Sequence, residues 1–74
     1  MKRFQMISNN GGIFKEPTVG LSTVELPRVP GYDPGYSYES CVFGANVSEV
    51  VAVYDSLSDA IAGHTALAQQ YKLN

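Results

Sequence analysis

Apolar and polar residues alternate with helical periodicity at the C-terminal end of the chain, from residue 56 onwards. Apolar or small residues recur there at intervals of three and four, which is typical of a helix with one packed face. Ser56 suits the N-cap position and Asp59 suits the positive end of the helix. The residues predicted to share the inner face of this amphipathic helix are Leu57, Ala60, Ile61, His64, Leu67, Ala68 and Tyr71.

Two strand-like segments precede the helix. Residues 38–43 and 49–54 are rich in β-branched and aromatic side chains, and the residues between them include Gly44 and Asn46, so this spacing predicts an antiparallel hairpin. Pairing residue 43 with residue 49 places one set of side chains on a single face: Glu39, Cys41, Phe43, Val51 and Val53. Neither face of this hairpin is clearly polar. We therefore expect both faces to be covered, one of them by the helix.

The N-terminal half of the chain is less regular. Residues 1–15 contain short strand-like pieces at residues 2–7 and 13–14, separated by a Ser-Asn-Asn-Gly-Gly turn sequence. Residues 16–37 contain Pro17, Pro27, Pro30 and Pro34, each of which lacks a backbone N–H. This segment is predicted to be an extended Pro/Gly-rich arm, with at best an edge strand near residues 21–26. Its apolar and tyrosine side chains indicate that the arm lies against another surface.

The predicted fold is a single small α+β domain over residues 1–74. A small antiparallel sheet, built from the C-terminal hairpin and a short N-terminal strand, is packed by one C-terminal amphipathic helix. Residues 38–74 alone are fewer than the roughly 40 at which chains usually need disulfides, metals or oligomerisation to fold. We therefore expect this hairpin–helix unit to gain surface from the arm, from a second copy or from a partner protein.

The composition and charge of the chain limit the classes of partner that we expect it to bind. A formal net charge of −2 and a pI near 5.0 provide no broad basic surface, so we expect neither nucleic acid nor membrane as a partner. No segment has the length of a membrane span or the apolar core of a signal peptide. Cys41 is the only cysteine, which excludes an internal disulfide and fits a reducing compartment. These features predict a soluble protein inside a cell or within a particle.

His64 and Cys41 are the candidates for chemistry. His64 is either a base, ligand or pH sensor, or a neutral buried residue that packs the core, and we favour packing. A nucleophilic Cys41 would need an electropositive setting and an oriented base, which the sequence does not mark. One His and one Cys are too few for a metal site, so we predict no metal, no cofactor and no enzyme activity. The predicted structural core comprises His64, Cys41, Phe43, Leu57, Ile61 and Leu67.

The tyrosines suggest an interaction surface, because tyrosine buries apolar area while it keeps a polar tip. They could equally serve to cover a small core. The residues predicted for a protein-interaction surface are Leu26, Val29, Tyr32, Tyr36, Tyr38 and Tyr54.

Three short motifs in the C-terminal half carry a family resemblance. The strand Tyr-Glu-Ser-Cys-Val-Phe (residues 38–43), the Tyr-Asp-Ser run (54–56) and the Ala-Ile-Ala-Gly-His run (60–64) resemble small uncharacterised proteins of tailed bacteriophages and prophages. Ser40 and Cys41 stand where that group more often has Thr and Met. The resemblance implies a phage origin, with the bacterial cytoplasm or the virion as the setting.

The expected function is that of a non-enzymatic phage accessory protein that binds another protein, such as a host or defence factor. One alternative is a minor virion structural or decoration protein whose arm drapes over a neighbouring subunit. A small enzyme built on Cys41 and His64 is the third hypothesis. The expected partner is a different protein or a second copy of the chain.

Overall fold

The computed structural model describes residues 3–9, 20–44 and 48–73. They form a four-stranded antiparallel sheet with the order β1-β2-β3-β4 and one helix. The elements are β1 (Gln5–Asn9), β2 (Gly20–Glu25), β3 (Tyr38–Phe43), β4 (Ser48–Tyr54) and α1 (Leu57–Gln70). The predicted α+β class, with an antiparallel sheet and a C-terminal helix, is confirmed. The short extended piece predicted at residues 13–14 lies outside the described residues.

β2 is an internal strand, which corrects the expectation of at best an edge strand near residues 21–26. It pairs with β1 on one side and with β3 on the other, from Gly20 opposite Phe43 to Glu25 opposite Tyr38. Proline does not interrupt this strand, because residues 20–25 contain none and keep every N–H for the two ladders. The N-terminal half of the chain therefore adds two strands, β1 and β2, to the hairpin. The hairpin–helix unit thus gains surface from the chain itself, which is one of the three sources expected from the sequence.

β3 and β4 form the predicted hairpin, with a β-bulge in β4. Ser40 pairs with Ala52, whereas Cys41 pairs with Val50, so Val51 is an extra residue. Residue 50, rather than residue 51, consequently shares a face with Cys41. The predicted faces of the hairpin are therefore right for residues 52–54 but wrong for the part of β4 that precedes Val51, because one extra residue reverses the side on which a strand residue lies.

α1 begins where Ser56 caps it. The Ser56 hydroxyl accepts a hydrogen bond from the backbone N–H of Asp59 at 3.1 Å, as the capping pattern predicts. At the other end the backbone N–H of Tyr71 donates to the carbonyl of Leu67 at 2.9 Å. Between these ends the helix contacts all four strands.

The helix presents a narrower face to the sheet than its apolar pattern predicts. Ala60 and His64 are buried and Gly63 is partly buried. Leu57 and Ile61, which the sequence pattern assigns to the core, are instead 43% and 41% exposed. The small residues along the contact line let the helix approach the sheet closely, so the larger side chains on its flank stand clear of the interface.

Gly63 is required because the side chain of Tyr54 lies on the helix at this point. A Cβ atom at Gly63 would overlap the Tyr54 ring and lie 2.5 Å from its hydroxyl oxygen. An interior helix glycine costs about 1 kcal/mol relative to alanine. Here that cost permits the ring at the end of β4 to pack directly against the helix backbone.

Gly63→Ala should destabilise the fold, although alanine is the better helix former. Overpacking costs about 1–3 kcal/mol and offsets the gain of about 1 kcal/mol in helix propensity, so the free energy of unfolding should fall by up to about 2 kcal/mol. Urea denaturation measures this difference. In a Tyr54→Ala background the same change should be stabilising, since the ring is gone. A higher unfolding free energy for Gly63→Ala alone would contradict this packing.

Candidate functional site

The most buried positions between helix and sheet are mainly polar. The buried hydrophobic side chains among the described residues are Leu21 and Ala60. The buried polar side chains, each of which carries a hydroxyl or an imidazole, are Ser8, Thr23, Ser40 and His64. Burying such groups costs free energy unless they are hydrogen-bonded, so their contacts decide whether this interface is stable.

These groups form one continuous chain of hydrogen-bond contacts. The His64 ring lies 2.9 Å (Nε2) from Ser8 Oγ and 2.6 Å (Nδ1) from Thr23 Oγ1. Thr23 Oγ1 lies 2.5 Å from Ser40 Oγ, which lies 2.9 Å from the Tyr54 hydroxyl. We call these five residues the hydroxyl–imidazole network. Each of the four strands and the helix contributes one member.

The tautomer of His64 sets the direction of every hydrogen bond in the network. If Nδ1 carries the proton, it donates to Thr23, and the hydroxyls then donate outwards through Ser40 to Tyr54, while Ser8 donates to Nε2. If Nε2 carries the proton, it donates to Ser8, and Tyr54, Ser40 and Thr23 donate in turn towards Nδ1. Each hydroxyl is both a donor and an acceptor, so both arrangements satisfy all four contacts.

Burial favours the neutral form of His64. The side chain is 2% exposed, and its hydrogen-bond partners are the hydroxyls of Ser8 and Thr23 rather than a carboxylate. Desolvation therefore lowers the pKa of His64 below its ordinary value. A neutral, enclosed imidazole of this kind serves to pack and orient the elements around it.

Cys41 lies on the opposite face of the sheet from His64, so the two residues do not form a dyad. Its register partners are Ser22 in β2 and Val50 in β4, and its thiol donates to the carboxylate of Glu39 at 3.9 Å. Burial, the negative charge of Glu39 and this hydrogen bond all raise the pKa of the Cys41 thiol. A raised pKa disfavours the nucleophilic thiolate. Cys41 is partly exposed rather than enclosed in the core.

No metal-binding group is present in the described ranges, where no three His, Cys, Asp or Glu residues gather closely enough to hold an ion.

The sheet face opposite the helix, which we call the open face, carries exposed apolar side chains among polar ones. The strand registers place on it the apolar residues Ile7, Val24, Phe43, Val50 and Val53, together with Cys41, Glu39 and the uncharged polar residues Gln5, Asn9, Ser22 and Ser48. Exposure reaches 58% at Ile7, 48% at Val50 and 47% at Val53. Phe43 was expected in the core by its position in an apolar strand, and its 39% exposure corrects this. Its ring lies over Gly20 of β2, where a Cβ atom would collide with it.

The segment between β2 and β3 is a closed loop. The backbone N–H of Leu26 donates to the Ser37 carbonyl at 2.9 Å and so closes the base of the loop. Pro30 and Gly31 form a tight turn in which the N–H of Tyr32 donates to the Val29 carbonyl at 3.0 Å. Gly31 has a φ of 78°, as the third residue of a type II turn requires.

A second Pro-Gly pair follows four residues later. Gly35 has a φ of 88°, and its N–H donates to the Asp33 carboxylate at 2.8 Å. The two turns enclose a groove of about 410 Å³, which Arg28 and Tyr36 help to line.

The residues predicted for a protein-interaction surface do not form a single surface. Val29 and Tyr32 lie on the loop and are 51% and 67% exposed. Leu26 and Tyr36 line the groove of the same loop. The other two, Tyr38 and Tyr54, lie on the helix-facing side of the sheet. Tyr38 packs edge-on against Phe4 with ring centroids 6.1 Å apart, and Tyr54 belongs to the hydroxyl–imidazole network. The last predicted core residue, Leu67, is partly buried.

The hydrogen-bond partners of His64 cannot be identified from the sequence. Ser8 belongs to a sequence that favours a turn, yet it lies in β1, and Thr23 lies in a segment predicted as an arm. The available signal is a small hydroxyl residue in the middle of β2 and another in β3, at positions 23 and 40, where strand interiors usually hold larger side chains. That signal acquires meaning only when the two strands are known to be neighbours.

Comparisons with known proteins found no matching protein-family model, curated protein or solved structure. In the part of the chain that the structure describes, no helix combines the length and apolar character needed to cross a membrane.

The stability of the fold should depend on pH through His64, the only histidine of the chain. Because burial lowers its pKa, the unfolded state binds the proton more readily than the folded state. This contribution should be fully present above about pH 6.5 and should be lost as the pH falls from there through the pKa of the folded state. NMR titration of the imidazole and urea denaturation at several pH values measure both quantities.

His64→Gln should remove this part of the pH dependence and serves as the control. A folded-state pKa at or above the ordinary value of histidine would contradict the buried network.

Thr23→Val should lower the free energy of unfolding by about 1–3 kcal/mol, because it preserves shape while it leaves His64 Nδ1 and Ser40 Oγ without their partner. Thr65→Val is the matched control. Thr65 is exposed and its hydroxyl donates only to the carbonyl of Ile61, so a change within about 0.5 kcal/mol is expected. Equal effects of the two substitutions in thermal or urea unfolding would show that the network contributes no stability.

Proposed function

We propose that this chain is a non-enzymatic binding protein that contacts another protein through the open face of its sheet. The supporting observation is the exposure of the apolar side chains there, above all Ile7, Val50 and Val53. An antiparallel sheet with one face packed against a helix normally carries polar residues on the other face. Val50 and Val53 lie close together on β4, and exposed apolar side chains that are grouped in this way are typical of interaction surfaces.

The structure also weakens the third hypothesis, a thiol enzyme. Cys41 and His64 lie on opposite faces of the sheet, and the Cys41 thiol has a raised pKa. His64 is enclosed by hydroxyl partners within the described part of the chain, which supports a packing role. A binding function requires neither residue to react.

The setting we propose is that of a phage accessory protein. The resemblance of residues 38–43, 54–56 and 60–64 to small phage and prophage proteins supports a phage origin. The partner would then be a host or defence protein in the bacterial cytoplasm.

A minor virion component is the second candidate, and the exposed loop favours it. Val29 and Tyr32 project from a loop whose conformation is fixed by the Pro30–Gly31 turn. A preformed loop loses little conformational entropy on binding, so it suits contact with a neighbouring subunit. Mass spectrometry of purified particles that finds this chain in stoichiometric copies would support this candidate.

The two candidates predict different contact surfaces, which paired valine substitutions can separate. Val53→Asp places a charge on the open face, and Val29→Asp places the same charge on the loop at similar exposure. Affinity capture from infected bacterial cells should yield a partner with the wild-type chain and with Val29→Asp. With Val53→Asp its apparent affinity should fall about tenfold or more, since a central interface residue contributes over 1 kcal/mol.

Circular dichroism must first show that both variants fold. Val53→Thr, which keeps the shape and strand propensity of valine, provides a milder change at the same position and should give a smaller loss. Retention of the partner by Val53→Asp together with its loss in Val29→Asp would overturn the open-face proposal and would favour the loop.

A further inference from the structure

Glu39 is the one carboxylate that the strand registers place on the open face, and it lies near the middle of that face. It belongs to β3, an inner strand, and its register partners are Val24 on one side and Val53 on the other. Cys41 follows it on the same face. Glu39 is partly buried, so any protein that covers the open face also covers its charge.

No basic side chain neutralises Glu39 within the described residues. The contact that its carboxylate makes there is with the thiol of Cys41 at 3.9 Å, which is a weak hydrogen bond. Removing an ionised carboxylate from water without a partner costs several kcal/mol, whereas an opposite charge with good geometry offsets that cost. Among the described residues the open face therefore lacks the cation that a covered Glu39 needs, and an occupant that brings one offsets this cost.

A second copy of the chain is a poor occupant for the same reason. Two identical faces pack about a two-fold axis, and residues near the centre of such an interface meet their own counterparts. Glu39 would then lie near Glu39 of the second copy, and like charges in close contact in an interface destabilise it by several kcal/mol. The position of this carboxylate thus selects against self-association through the open face.

We infer that the open face binds a protein surface that is apolar and carries an arginine or lysine side chain at its centre, which pairs with Glu39. This inference rests on the proposed function and specifies the chemistry of its partner. Arginine fits best, because its planar guanidinium makes two parallel hydrogen bonds to a carboxylate and is less strongly hydrated than lysine. The valines beside Glu39 then shield the ion pair from water, and the charge pair fixes the orientation of the partner.

Selection from a displayed library of random peptides tests the inference without a known partner. The immobilised full chain should enrich peptides in which Arg or Lys stands among apolar residues. Synthetic versions of the enriched peptides are then measured by calorimetry against the wild-type chain and three variants, Glu39→Gln, Glu49→Gln and Val53→Thr. Glu49 is the matched control, because it is an exposed residue of β4 that pairs with Val42, on the helix-facing side of the sheet.

Glu39→Gln should weaken binding about tenfold or more, and Glu49→Gln should change it less than about twofold. Replacing the basic residue of the peptide by glutamine should weaken binding to the wild-type chain but have little further effect on Glu39→Gln, as expected of two groups that contact each other. Peptides that lack a basic residue, or equal effects of the two Glu→Gln changes, would overturn the inference.

The same measurements separate failure of the inference from failure of the proposed function. Weaker binding by Val53→Thr with unchanged binding by Glu39→Gln would leave the open face as the docking surface and refute only the cationic partner. Unchanged binding by both Val53→Thr and Glu39→Gln would refute both the docking surface and the cationic partner. Sedimentation velocity adds the remaining outcome: a dimer of the wild-type chain that dissociates on Val53→Asp would overturn the inference in favour of a second copy.

Discussion

A single buried imidazole connects every element of this fold. His64 is held between the hydroxyls of Ser8 and Thr23, and the chain of contacts continues through Ser40 to Tyr54. Larger domains usually fasten a helix to a sheet with many apolar side chains, but here few side chains are fully buried among the described residues. Hydrogen bonds are directional, so a network with one member from each element fixes the register of the helix on the sheet more specifically than a small apolar core would.

The two faces of the sheet differ in polarity in an unusual way, because the interface with the helix is polar. The helix covers a side where hydroxyls occupy the most buried positions, while valine, isoleucine and phenylalanine face outwards on the other side. Exposed apolar side chains on the open face are unfavourable in water and promote non-specific association. A binding function gives these side chains a role, because a partner protein would cover them. The charge of Glu39 in the middle of the face then limits which proteins can bind there.

The elements with strong local signals could be predicted from the sequence. Ser56 and Asp59 mark the start of the helix, and the β-branched residues of β3 and β4 mark the hairpin. The internal position of β2 could not be predicted, since the neighbouring prolines resemble those of an extended arm. The bulge at Val51 could not be predicted either, because an alternating pattern of side chains does not show where a strand contains an extra residue. The sequence pattern places the imidazole of His64 on the helix face towards the sheet, as the structure has it, but its partners Ser8 and Thr23 come from two strands that only the topology brings together.

The account depends most on the contrast between the two faces of the sheet in the free chain. A soluble paramagnetic agent enhances the NMR relaxation of methyl groups in proportion to their exposure. We predict strong enhancement for the methyl groups of Val50 and Val53 and almost none for those of Leu21, which is buried under the helix. Protection of the Val50 and Val53 methyl groups at a level similar to Leu21, in a chain shown to be monomeric, would contradict an open apolar face and the binding function derived from it.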